Sequence, residues 1–116
     1  MNRKFRLTRS TDFKRVRRLG KSYAHPLAVL VVLPGHHEGT RFGLAAGRSV
    51  GNAIQRNRAK RLLREAIRPL LTDTLPGYDV IVLSRYGTPR ASFQNVQSAV
   101  LNLFHRAHLL KELRED

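Results

Sequence analysis

The sequence predicts a single α/β domain with its elements in the order αββαβα, and three stretches carry that expectation. Leu27-Ala28-Val29-Leu30-Val31-Val32-Leu33 is a β-branched apolar run, too short for an ordinary helix and stopped by Pro34-Gly35, so it reads as a buried strand. From Asn52 to about Arg68 no Gly or Pro interrupts the chain, Asn52 can cap a helix start, and Pro69 discourages continuation, which marks a central helix. Near the end, Phe93, Val96, Val100, Leu103, Phe104, Ala107 and Leu110 recur at helical spacing, predicting an amphipathic helix from about Ser92 to Glu112.

The other elements fall between these. Residues 1 to 7 read as a basic, flexible tail, after which Thr8 to Ser10 can start a short helix over residues 10 to 17 ahead of Phe13 and Val16. The polar stretch Pro34 to Thr40, bounded by turn formers, reads as an exposed hairpin loop joining the first strand to a second from Phe42 to Gly47. Leu75-Pro76-Gly77 marks a turn, and Tyr78-Asp79-Val80-Ile81-Val82-Leu83-Ser84 reads as the last strand. No repeat or low-complexity segment is present, and 116 residues suit one domain, 1 to 116, around one core.

Lys and Arg number 22 against 8 Asp and Glu, a formal net charge of +14. That excess opposes compaction by self-repulsion, so a polyanionic partner explains it better than a well-solvated surface, which mixed signs would serve. Nucleic acid leads, because its phosphates are a dense row of charges whose neutralisation releases counterions. The chain has no Cys, which excludes disulfides, thiolate nucleophiles and cysteine zinc sites. No apolar signal core follows the basic start, and no apolar run approaches the roughly 20 residues of a membrane span, so the expected location is the cytoplasm without a membrane partner.

On the central helix, at roughly 100° per residue, Ala59, Leu62, Leu63, Ala66 and Ile67 share one side, and Asn57, Lys60, Arg61, Arg64 and Arg68 a neighbouring one. The apolar side is accounted for by packing on a sheet. Like charges three and four residues apart destabilise a helix, and only Glu65 is at hand to offset them. From Gly39 through Arg64 no residue is acidic, although Arg41, Arg48, Arg56, Arg58, Lys60, Arg61 and Arg64 fall there, so an internal salt-bridge network is a weak explanation. Arg outnumbers Lys in this window, which suits forked contacts to phosphate and stacking on bases. A merely solvated charged face is the competing reading.

The stretch Gly51-Asn52-Ala53-Ile54-Gln55-Arg56-Asn57-Arg58-Ala59-Lys60-Arg61-Leu62-Leu63-Arg64-Glu65 closely resembles the signature of the bacterial ribonuclease P protein family, with its Arg-Asn-Arg motif at the head of a helix. Upstream, Arg6-Leu7, Asp12-Phe13 and Val16 resemble that family's first helix, and the downstream elements fall in its order. The resemblance implies an α/β sandwich with a mainly antiparallel sheet and a left-handed βαβ crossover, against the usual right-handed preference. It implies a subunit that binds the catalytic RNA of ribonuclease P and the 5′ leader of precursor tRNA. The RNA and its Mg2+ would carry out the cleavage, with no catalytic residue and no metal ligand on the protein and no DNA partner. By position, Arg48, Arg56, Asn57, Arg58, Lys60, Arg61, Arg64 and Arg68 would contact the catalytic RNA. Phe13, with Lys14 and Arg17, would line the leader cleft, where stacking on bases is worth roughly 1 to 3 kcal/mol each. The family often has a second aromatic one turn after Phe13, where this chain has Arg17, and another in the first long strand, here aliphatic. The cleft is thus expected to grip by charge more than by stacking, with Tyr23 as a substitute aromatic.

Other signals are weaker. Gly43, Gly47 and Gly51 fit neither a dinucleotide fingerprint nor a P-loop, and a tight strand-to-helix turn explains them. His36-His37 and the pair His105 and His108 lack the companions of a metal site. The eight acids are scattered and suggest no two-metal nuclease centre, with Asp12 expected to cap or pair locally. Phe93 and Phe104 read as core. Phe13 reads from its neighbours as core and from the resemblance as a base platform. Besides an RNA-binding subunit, a stand-alone nuclease and a structural ribosomal or DNA-binding protein are the alternatives, the first disfavoured by the scattered acids.

Overall fold

The computed structural model describes residues 6–7, 9–35 and 38–111. The chain runs through α1 (Ser10–Leu19), β1 (Lys21–His25), β2 (Ala28–Pro34), β3 (Arg41–Ala45), α2 (Ala53–Ile67), β4 (Tyr78–Ser84) and α3 (Phe93–Arg106). The strands form one sheet in the order β1-β2-β4-β3. Two of its ladders are antiparallel, and β3 runs parallel to β4, to which it is joined through α2 in a βαβ unit. α1 covers one face of the sheet, α2 and α3 the other.

The alternation of side chains along β2 and β4 divides the apolar residues between those two faces. Leu30, Val32, Val80 and Val82 join Phe42, Leu63, Ile67, Val100, Leu103 and Phe104 in the main core under α2 and α3. Val31 and Ile81 point the other way and meet Val16 of α1 and Leu7. Covered on both sides, these strands are almost continuously apolar, and each large side chain so buried contributes about 1.5 to 3 kcal/mol. Phe104 stacks on Phe42 with ring centroids 6.1 Å apart.

Several sequence expectations need correction. A strand absent from the expected order, β1, makes it αβββαβα. Its residues Lys21-Ser22-Tyr23-Ala24-His25 form a mostly exposed edge strand paired with β2 across the turn at Pro26 and Leu27. The stretch from Pro34 to Thr40 is not a hairpin connection, because β1 and β4 occupy both edges of β2, and β4 lies between β2 and β3. α3 stops at Arg106: His108 turns into the left-handed region at φ 55°, and the chain doubles back so that Leu109 is buried and its carbonyl accepts from the Leu75 amide at 2.6 Å. Phe93, at the start of α3, is exposed rather than core. α2 begins as expected at the Asn52 cap, completed by Gln55 as a reciprocal capping box.

Arg6 and Leu7, expected in a flexible tail, are held by the sheet. Arg6 bridges to Phe42, the Leu7 amide donates to the Phe42 carbonyl at 2.7 Å, and the Leu7 side chain is buried, so both residues extend the β3 edge. Residues 1–5, Thr8 and the His36-His37 pair lie outside the described residues. α1 is headed by Arg9 with no side-chain cap.

Candidate nucleic-acid interface

α2 buries Ala59, Leu63, Ala66 and Ile67 against the sheet and α3, which fixes the direction of the rest of the helix. The side chains of Arg56, Asn57, Lys60, Arg61 and Arg64 then lie exposed or half-buried, with no hydrogen bond or ion pair to another described residue. Arg48 is likewise exposed and unpaired, in the short 3-10 turn Arg48–Val50 ahead of α2. Two predicted members are engaged within the protein. Arg58 donates from Nε to the Pro89 carbonyl at 2.8 Å, and Arg68 pairs with Glu65 at 3.1 Å.

Beside this face a cleft of about 370 Å³ opens between α1, β3 and α2. Phe13, Gly43 and Leu44 give it an apolar floor, and Lys60 and Arg64 of α2 with Arg6 bring the charge. Phe13 is half-buried and packs on the α1-side cluster, so it is both a core contact and a wall of the cleft. Its ring lies on Gly43, where any Cβ would collide with the ring edge. Gly43 therefore serves close packing inside a strand rather than a turn, a correction to the sequence reading. Gly51 does belong to the turn, at φ 144°, with the Gln55 side chain filling the space a Cβ would need.

Lys14 and Arg17 are exposed on α1, Arg17 one helical turn beyond Phe13. Tyr23 does not join them. It pairs with Leu30 across the β1–β2 ladder, so it points to the sheet face under α2 and α3, on the edge strand farthest from β3, with the Lys21 ammonium 5.4 Å from its ring centroid.

A buried carboxylate holds α1 in place. Asp79, fully buried on β4, accepts from Arg15 Nη2 at 2.6 Å and from Arg41 Nε and Nη2 at 3.0 and 3.1 Å. Asp12 adds a local contact to Arg15 at 3.3 Å, as its sequence position suggested. The hydrogen bond to Asp79, then that to Asp12, pushes the Arg15 guanidinium further into its charged form. Arg41 is thus consumed internally, contrary to the expectation drawn from the acid-free window, because its partner is remote in sequence. An acid inside the apolar run of β4 was the legible signal for such a partner. Among the described residues no group of three or more His, Cys, Asp or Glu side chains could hold a metal, and no helix is long and apolar enough to cross a membrane.

Fold and surface together define a basic α+β protein, with cations along one helix that no described residue pairs and an aromatic-walled cleft beside them. The ribonuclease P family model matches residues 1–108. The ribonuclease P protein component of Herpetosiphon aurantiacus is 41% identical over 94% of this chain and 89% of its own length. That of Clostridioides difficile is 33% identical over 93% and 96%. The RNase P protein of Thermotoga maritima superimposes with a TM-score of 0.77 at 30% identity, covering 87% of this chain and 96% of that one. The Staphylococcus aureus protein, at 23% identity and a TM-score of 0.82, supports the fold. The chain belongs to the ribonuclease P protein family, the protein subunit of an RNA-based endoribonuclease that processes tRNA.

Proposed function

We propose that this subunit binds the catalytic RNA through the α2 face formed by Arg48, Arg56, Asn57, Lys60, Arg61 and Arg64, and takes the 5′ leader of precursor tRNA into the cleft beside Phe13. One observation carries the reading: Lys60 and Arg64 of the unpaired helix face also line the cleft that Phe13 walls. A strand of RNA leaving the helix face therefore meets cations and an aromatic ring within one continuous surface, the combination that binds single strands without regard to sequence. Lys14 and Arg17 extend the positive potential along α1. Arg58 and Arg68 act first within the protein, Arg58 by tethering the loop at Pro89 to α2. Tyr23, on the opposite face, has no part in the cleft. Cleavage belongs to the RNA, and Mg2+ serves the RNA-containing holoenzyme there. The assembly works in the cytoplasm, with neither membrane nor DNA as partner.

The test compares the catalytic RNA with and without the protein. Adding the protein should tighten binding of precursor tRNA much more than binding of mature tRNA, which lacks the leader. Equal tightening of both would leave the protein as a prop for the catalytic RNA and remove the leader cleft.

A further inference from the structure

The loop after β4 carries an exposed ring that neither the α2 face nor the leader cleft uses. Tyr86 is 63% exposed and belongs to neither core cluster. The Arg90 guanidinium lies against the ring, its Cζ 3.6 Å from the centroid. That guanidinium is itself fixed, since Nη1 donates to the Val50 carbonyl at 2.9 Å and to the Tyr86 carbonyl at 2.6 Å. The loop beneath is fixed too. Thr88 is fully buried, donating from Oγ1 to the Leu27 carbonyl at 2.7 Å and accepting from the Arg85 amide at 2.8 Å, while Arg58 holds Pro89 from α2.

An exposed aromatic side chain on a mobile loop would need no explanation. Here four hydrogen bonds hold the loop and a cation backs one face of a ring that stays largely exposed. The entropy of ordering such a surface is already spent before any ligand arrives. The surroundings select the ligand. Arg85 is the preceding residue and exposed, and Arg48 sits in the 3-10 turn whose Val50 carbonyl anchors Arg90. A cation-backed π-face on a loop that carries Arg85 and is tied to the turn that carries Arg48 suits an unpaired nucleotide, whose base stacks while its phosphates meet the charges.

We propose that Tyr86, backed by Arg90, is a stacking platform for one unpaired RNA base, with Arg48 and Arg85 binding the adjacent phosphates. The proposal rests on the RNA-binding reading above and adds a contact outside the cleft. The base can come from the catalytic RNA or from the leader, and two measurements distinguish these sources: the affinity of the protein for catalytic RNA, and the holoenzyme's affinity for precursor relative to mature tRNA.

Tyr86→Ala should weaken one of the two by about 5- to 150-fold, the equivalent of losing one stacked base. Tyr86→Phe keeps the ring and should match wild type in both. The salt dependence should be unchanged in Tyr86→Ala, because a ring carries no charge, whereas Arg48→Ala with Arg85→Ala should flatten it. Thermal unfolding should be close to wild type, since Arg90 keeps both carbonyl contacts. Wild-type affinities for Tyr86→Ala in both arms, or equal losses for Ala and Phe, would overturn the platform. If the wild-type protein itself failed to bind catalytic RNA, the α2 reading would fall first and the platform with it.

Discussion

The ring of Phe13 rests on Gly43 so closely that a methyl group at position 43 would overlap the ring edge. α1 and β3 are thereby in register at the cleft, and the glycine sits in ordinary strand conformation, so alanine would suit the backbone and offend only the ring. Gly43→Ala should cost roughly 1 to 3 kcal/mol by overpacking. In a Phe13→Ala background the same change should cost far less, because the collision has gone. Thermal unfolding of the four proteins measures that coupling, and strict additivity would mean that the ring and the glycine do not meet.

Asp79 should be the least replaceable acid in the chain. Replacing it by Ala leaves the Arg15 and Arg41 guanidiniums without the buried carboxylate they share at the junction of α1, β3 and β4, with only the partly exposed Asp12 still near both, at 3.3 and 3.9 Å. Both arginines keep about a third of their surface in water, which places the loss near the lower end of roughly 3 to 5 kcal/mol. A melting temperature within a degree or two of wild type would contradict that account.

Arg61 and Arg64 are the cleanest test of the helix face, because neither side chain bonds to another described residue. Arg61→Ala with Arg64→Ala should leave folding intact and reduce the salt slope of catalytic-RNA binding by close to one unit for each lost phosphate contact. Arg58→Ala should behave differently, loosening the Pro89 loop as well as weakening RNA binding. An unchanged slope in the double variant would make the face a solvated surface.

The legible parts of the sequence were those with local causes. Asn52 and Pro69 bound α2 because caps and proline act within a few residues, and the β-branched runs of β2 and β4 declare strands buried on both faces. β1 escaped because an edge strand with mostly exposed residues has no apolar alternation to show. The insertion of β4 between β2 and β3 is a pairing of residues far apart in the chain, which no window of sequence contains. The cleft is half legible: the family resemblance names Phe13 as its wall, and helical spacing puts Lys60 and Arg64 on a basic face, but their meeting, and the part Gly43 plays in it, depend on where α1 lands on the sheet. The direction of Tyr23 is not legible in the sequence because it depends on β1 and its pairing with β2.

The most direct measurement is the holoenzyme's affinity for precursor tRNA divided by its affinity for mature tRNA, with Phe13 intact and with Phe13→Ala. Thermal unfolding comes first, because Phe13 also packs against the buried cluster of Leu7, Val16, Val31 and Ile81, and its truncation costs stability. In protein shown to be folded, the ratio should fall by the equivalent of roughly 1 to 3 kcal/mol, almost wholly through weaker binding of precursor tRNA. A folded Phe13→Ala holoenzyme with the wild-type ratio would contradict leader binding in the cleft and leave the α2 face as the RNA contact.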